Sequence, residues 1–219
     1  MLRSAQHEVE REAMTRIKIC GLTREHDVLF CADQGADFLG FIFVPSTPRF
    51  IEPERAASIT AALRARESRP KLVGVFRDAS AEYMREIAAL AGLDLLQLHG
   101  AETDEDIQAV GLPVIKTFRV GDALPDTTAH PSAEWFLFDT FEERRSGGTG
   151  RRFDWSLMAT YPRTKPFFLS GGLAPDNVAA AISLVRPDAI DVSSGVEEGE
   201  PGVKDHAKVE SLIQRVRRP

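Results

Sequence analysis

The chain has 219 residues, 43% hydrophobic and 27% charged, with a formal net charge of −6 at pH 7; that length suits one large core or two small ones. No apolar run approaches the ~20 residues that span a bilayer, and the negative balance gives no general attraction to nucleic acid or anionic membranes, so neither is expected as a partner. Only two cysteines, Cys20 and Cys31, are present, too few for a disulfide framework or a structural zinc site, and the polar N-terminus lacks a secretory apolar segment, so reduced thiols and a cytoplasmic location are expected.

Residues 1–15 precede the first apolar segment and read as an N-terminal extension, a frayed helix or a disordered arm, leaving 16–219 as the folded domain. Arg16-Ile17-Lys18-Ile19-Cys20 is a first strand ended by Gly21, and Thr23 is expected to cap a helix running to Gln34, with Gly35 as its stop. Residues 37–44 form a near-continuous apolar run, as expected of a parallel strand covered on both faces. The loop Pro45-Ser46-Thr47-Pro48-Arg49-Phe50 leads to a helix from Pro53, where proline suits the first turn. A third strand at 71–76 and helix at 81–91 follow, then a fourth strand at 93–98 that ends at His99-Gly100, with a helix from Thr103.

The fifth strand, 113–118, is followed by a polar, proline-containing stretch at 121–132 with little helical period. The sixth, 135–138, ends at Asp139-Thr140, ahead of an Arg- and Gly-rich segment at 144–152 and a helix from Asp154 to about Tyr161. Strands at 166–169 and 188–192, with helices at 175–185 and 205–217, complete the chain. Strand and helix alternate throughout without a linker or a composition break, which predicts an α/β, single-domain (β/α)8 TIM barrel.

The last two strands end alike, in Ser170-Gly171-Gly172 and Ser193-Ser194-Gly195. Glycine permits close backbone approach and serine adds donors, so each loop can surround an anion without a Walker lysine. Either alone is most simply a tight turn. Together, after strands seven and eight of a barrel, they predict a phosphate site made by Gly171, Gly172, Ser193, Ser194 and Gly195.

Barrels of this kind place chemistry at the C-terminal strand ends, here Cys20, the loop to Arg49, Arg77-Asp78, His99, Phe118-Arg119, Asp139 and the two Ser-Gly loops. Taken with Lys18-Ile19-Cys20-Gly21-Leu22-Thr23, Gly40-Phe41-Ile42-Phe43, Gln97-Leu98-His99-Gly100, Phe138-Asp139-Thr140, Gly147-Gly148-Thr149-Gly150 and Phe153-Asp154-Trp155, these segments resemble the phosphoribosylanthranilate isomerase family of tryptophan biosynthesis over about residues 16 to 217. Two departures stand out: the N-terminal arm is longer than the family needs, and Thr47 replaces a common serine while keeping the hydroxyl.

The resemblance implies a cofactor-free, metal-free Amadori rearrangement of a small phosphoribosyl substrate. Asp139 would be the general acid that opens the ribose ring and Cys20 the general base that takes a proton from the adjacent carbon. Arg49 would meet the anthranilate carboxylate, with His99 and Asp191 also at the substrate. A monomer is the expected state. An ordinary aspartate, with a pKa of about 3.9, is protonated in about one molecule in a thousand at pH 7; an apolar neighbourhood of Leu137, Phe138 and Phe141 is expected to raise it. An ordinary cysteine is only a few per cent thiolate at about pH 7, and a nearby cation would help. Lys18 shares the Cys20 strand face, and since strands one and eight are neighbours in a barrel, it is placed to pair with Asp191.

Simpler readings stand beside these roles. Cys20 alone is a small buried residue, Asp139 a cap or an ion-pair partner, Arg49 a solvated side chain. His99 either touches substrate or braces its loop, and 147–150 is either a plain loop or a flap. Among functions, a lysine acid would mark indole-glycerol-phosphate synthase, and paired aspartates after strands one and five the histidine-pathway isomerase; strands one and five end here in Cys20 and Lys116-Thr117-Phe118. A non-catalytic phosphoribosyl-ligand sensor, or a thiol switch at Cys20, is the alternative of a different class.

Overall fold

The structure, a computed structural model, describes residues 14–64, 66, 68–140 and 154–217. The expectations for the N-terminal arm through residue 13 and for the flap at 147–150, together with Phe141 and Phe153, lie outside the described residues. In chain order the elements are β1 (Arg16–Ile19), α1 (Glu25–Asp33), β2 (Phe38–Ile42), α2 (Pro53–Arg64), β3 (Lys71–Phe76), α3 (Ala81–Ala91), β4 (Leu95–Leu98), α4 (Asp104–Val110), β5 (Val114–Val120), β6 (Trp135–Thr140), a 3-10 turn (Trp155–Thr160), β7 (Phe167–Leu169), α5 (Val178–Val185), β8 (Ala189–Val192), a second 3-10 turn (Ser194–Val196) and α6 (His206–Arg217). The strands close in sequence order into a parallel barrel. β1 pairs with β8 in a register that sets Lys18 against Asp191.

Strand alternation sorts the side chains. Ile17, Ile19, Leu39, Phe41, Phe136 and Phe138 belong to the main core between strands and helices. Phe38, Val73, Leu95, Ile115, Trp135, Leu137, Phe168 and Ala189 form a separate cluster that fills the barrel toward its N-terminal end. The Arg16 guanidinium lies 4.3 Å from the Trp135 ring and closes that end. The bore is therefore solid below, and the buried polar side chains Lys18, Gln97, Thr117 and Asp191 stand above it.

Local signals explain most boundaries. Ser80 accepts from Tyr83 N and starts α3; Thr103 and Asp106 form a reciprocal capping box at α4. Three expectations are corrected. Thr23 does not cap α1: its hydroxyl donates to Gly202 O, tying the β1 loop to the segment before α6, and Arg24 occupies the N-cap position. The sixth helix is a single 3-10 stretch, although Asp154 does accept from Ser156 N at its start. α5 begins at Val178 rather than Pro175, because Asn177 Oδ1 accepts from Ala174 N and its Nδ2 donates to Gly172 O, holding the preceding residues in a turn. Between β5 and β6 there is no helix, as the sequence there suggests. No helix of the described residues is long and apolar enough to cross a membrane.

Candidate active site

The C-terminal strand ends surround one open cavity, and every residue designated from the sequence lines it: Cys20, Arg49, His99, Asp139 and Asp191, with both glycine and serine loops. Its floor is a buried polar network. Lys18 Nζ donates to Asp191 Oδ1 and to Gln97 Oε1, both at 2.8 Å, and Gln97 Nε2 donates onward to Thr117. Lys18 is wholly buried. Burial would lower its pKa, yet the charge and hydrogen bond of Asp191, aided by the Cys20 sulfur, outweigh that and hold the ammonium above its usual range.

Cys20 sits just above this floor at 5% exposure, beside Gly40. A Cβ on Gly40 would come within 2.7 Å of the Cys20 sulfur and 3.2 Å of Lys18 Cε, so only glycine leaves that thiol its space. Burial pushes the Cys20 thiol up, with Lys18 pulling against it and Asp191 adding to the rise. A neighbouring cation is present, as hoped for from the sequence, but it does not win, and Cys20 rests as a thiol.

Across the cavity, Asp139 is the next-to-last residue of β6. Burial, and secondly the negative charge of Asp191, raise its carboxyl to about 6, against the opposing pull of the Thr140 N–H, Arg119 and Ser170. Burial is the first cause, as expected, and the charge of Asp191 adds a second that the sequence did not indicate. Leu137 points into the lower bore and Phe138 packs outward on Tyr161 and Phe167. His99 Nε2 lies 3.7 Å from Asp139 Oδ2. Burial, then the positive charges of Arg119 and Arg77, lower His99 to about 4, so its imidazole is neutral at pH 7. Its loop is braced by other groups: Glu102 accepts from Gly100 N, Asp78 N and Lys116 Nζ.

The two closing loops form one unit. Gly171 and Gly172 have φ of 88° and 67°, conformations that favour glycine. A Cβ on Gly171 would lie 2.1 Å from Thr140 Oγ1, and one on Gly195 would lie 1.9 Å from Leu173 O. The loop after β8 is thus pressed onto the loop after β7 with no room for a side chain. Ser193 Oγ and Thr140 Oγ1, both in residues lining this end of the cavity, are buried without a hydrogen-bond partner among the described residues. Buried orphan hydroxyls are costly unless a ligand completes them.

Arg49 enters from the loop after β2. Its Nε and Nη2 donate to both oxygens of Glu197, at 2.9 and 2.6 Å, which leaves the Nη1 edge unused by that carboxylate. Glu197 also accepts from Lys204 Nζ at 2.8 Å and from Gly202 N. Burial works against the Glu197 carboxylate, but the bonds from Arg49 and Lys204 hold it at about 2. Thr47, the variant hydroxyl, bonds its own loop at Val44 O. Sequence reasoning missed Glu197, Lys204 and Gln97. Only Gln97 carried a visible signal, a lone polar residue at an inward position of an apolar strand.

Among the described residues, a His/Asp cluster with metal-ligand spacing, His26, Asp27 and His206, lies outside the cavity lining.

The family model described as N-(5'phosphoribosyl)anthranilate (PRA) isomerase matches residues 17–215. A Pseudomonas fluorescens N-(5'-phosphoribosyl)anthranilate isomerase is 45% identical over 206 residues, 93% of this chain and 96% of that protein. The phosphoribosyl anthranilate isomerase of Thermus thermophilus is similar in structure, with TM-score 0.80 at 39% identity, covering 93% of this chain and 98% of the other. A solved isomerase complexed with reduced 1-(o-carboxyphenylamino)-1-deoxyribulose 5-phosphate gives TM-score 0.78 at 36% identity, over 93% and 99% of the two chains.

Proposed function

The chain belongs to the N-(5'-phosphoribosyl)anthranilate isomerase family, and from that premise we propose which of its residues carry the reaction. It is an isomerase of tryptophan biosynthesis that acts on N-(5'-phosphoribosyl)anthranilate. In our reading the phosphate lies in the joined loops at Gly171, Gly172, Ser193, Ser194 and Gly195, where Ser193 Oγ waits for a partner. The anthranilate carboxylate meets the Nη1 edge of Arg49. The ribose is then held between Cys20 and Asp139, with neutral His99 and Asp191 lining its walls.

Asp139 gives its proton to the ribose ring oxygen. The bond from that oxygen to the anomeric carbon breaks, and the anilino nitrogen supplies the electrons for a Schiff base. The Cys20 thiolate removes the proton from the adjacent carbon, giving an enolamine that tautomerises to the ketose product. Protons are returned, and no redox partner is consumed. The observation that carries this reading is the placement of two groups in one cavity with environments that differ: a carboxyl raised to about 6 and, over Lys18, a buried thiol. An acid near neutral pH is what ring opening needs. Unreactive phosphate and carboxylate ends supply binding energy that fixes the reacting carbon.

Turnover is followed as loss of anthranilate-type fluorescence. Cys20→Ala and Asp139→Asn should bind a reduced product analogue without turning substrate over. Normal turnover by both would sink the assignment, while tight binding without turnover by the unaltered protein would favour the sensor. We also read the chain as a monomer. Its large exposed hydrophobics among the described residues, Met14, Tyr83, Leu90 and Leu184, are single residues spread over several elements. Light scattering giving twice the chain mass would overturn that. A reducing cytoplasm suits a reacting Cys20.

A further inference from the structure

Outside the cavity, three side chains from the first and last helices converge. His26 and Asp27 lie in the first turn of α1 and His206 opens α6, and their ligand atoms all fall within 4.8 Å of one another. His206 Nε2 is 2.9 Å and His26 Nε2 3.1 Å from the same oxygen, Asp27 Oδ1. Neighbouring ligands of a tetrahedral Zn²⁺ with bonds of about 2.0–2.1 Å stand about 3.3 Å apart. Both spacings are therefore within a few tenths of an ångström of such a shell.

The set is held in place from behind. Asp27 is fully buried, and Lys204 N donates to its Oδ2 at 3.2 Å, which leaves Oδ1 facing the imidazoles. Phe30 stacks on the His206 ring, 3.9 Å between centroids and 6° between planes. The imidazoles themselves are 54% and 39% exposed, which gives an ion a way in and a water the fourth position.

A second observation shows which charge the cluster accepts. The Arg24 guanidinium is hydrogen-bonded to His26 Nε2, and its Nε lies 3.7 Å from Asp27 Oδ2. Arginine has donors only, so His26 Nε2 is the acceptor there and turns a lone pair to the same side as the carboxylate. Two acceptors already gather round a cation. Arg24 is 42% exposed and can swing into solvent to make way.

We propose that His26, Asp27 and His206 form a binding site for a divalent ion of the zinc class that clasps α1 to α6. Two imidazoles and one carboxylate favour Zn²⁺ and its neighbours over Mg²⁺ or Ca²⁺, which take oxygen-rich shells. Binding uses the neutral rings: the proton on His206 Nε2, now donated to Asp27, leaves for water or is replaced by one on Nδ1, and the ion takes the freed lone pair. The clasp joins segments far apart in sequence, so an ion held only by the folded chain raises its stability.

The test uses the full chain, stripped of metal, with ZnCl2 and MgCl2 as probes in calorimetric titration and thermal unfolding. One Zn²⁺ per chain is expected, with Tm raised by zinc and not by magnesium. His26→Ala and His206→Ala should each weaken zinc binding at least tenfold and abolish the Tm rise. His26 is exposed, so its variant keeps the fold, checked by unchanged Tm and turnover without metal. Absence of zinc binding by the unaltered chain, or binding left unchanged by both histidine variants because the ion sits on a cysteine, would overturn the site.

Discussion

Two layers of the barrel interior obey the same strand alternation and do opposite work. In the lower layer Phe38, Leu95, Ile115, Phe168 and Ala189 fill the bore with apolar volume. Two residues further along the same strands stand Gly40, beneath the Cys20 sulfur, and Gln97, Thr117, Ser170 and Asp191, which line the cavity. The lower layer supplies stability by burial. The upper layer spends part of it, since a fully buried Lys18 and a nearly buried Asp191 are tolerable only as a pair. The comparison teaches that chemistry sits one step above the anchor and not within it.

The sharpest way to break this division is at the reacting groups. Asp139→Asn and Cys20→Ala should each lower turnover about 10³-fold, roughly 4 kcal/mol of barrier, with Tm unchanged or slightly raised. Steady-state fluorescence assays and thermal unfolding on the same samples check both halves. The mirror variant is Phe168→Ala, which should lose about 4 kcal/mol of stability in urea unfolding while the folded fraction keeps its KM. A catalytic defect without a stability loss in that variant would erase the distinction between layers.

Lys18→Met tests the boundary between them. It strands the Asp191 charge and should destabilise by about 3 kcal/mol. The double variant Lys18→Met with Asp191→Leu should recover much of that in unfolding experiments while remaining inactive, because stability and turnover part at this pair. A double variant no more stable than the single one would mean that the network is a structural requirement.

A smaller effect is expected at Glu197, which grips Arg49 on one guanidinium edge. Glu197→Gln keeps the volume but loosens that grip, so KM should rise about tenfold, roughly 1.4 kcal/mol, with kcat little changed. A fall in kcat at constant KM would show that Glu197 acts elsewhere. Its carboxylate is held at about 2, below its usual range, so the stability it lends is fully present above about pH 4.5 and fades as pH falls toward 2.

How far the sequence reveals these layers depends on how local the cause is. β3 and α3 were legible to their end residues, since the apolar run at 72–76 after Lys71 and a Ser80 cap are local facts. The Lys18–Asp191 pair was legible because period two and barrel closure fix both positions. The grip of Glu197 on Arg49 was not, because it depends on how the loops after β2 and β8 meet. Nor was the second cause, after burial, of the raised Asp139. Charge across the bore, from Asp191, is a three-dimensional quantity, whereas its sequence neighbours Leu137 and Phe138 point elsewhere. The late start of α5 turned on one side chain, Asn177, bonding locally where the helical pattern suggested continuation.

The gentlest probe is pH. Turnover needs Cys20 as thiolate and Asp139 as acid, while at rest near pH 7 the thiol is raised and the carboxyl, at about 6, is mostly ionised. The active arrangement is a minor protonation isomer of the resting one and carries the same charge, so its population does not change with pH across the plateau. Below about 6 both groups hold protons and the base is lost. Above the raised thiol pKa both are ionised and the acid is lost. The profile of kcat/KM should therefore be a broad bell with its acidic limb near 6. An ordinary histidine would produce a limb in the same place, but His99 is held at about 4 by burial and by Arg119 and Arg77. His99→Gln should leave the limb where it is. A limb that disappears in that variant would move the titration from Asp139 to His99 and, with it, the identity of the group that opens the ring.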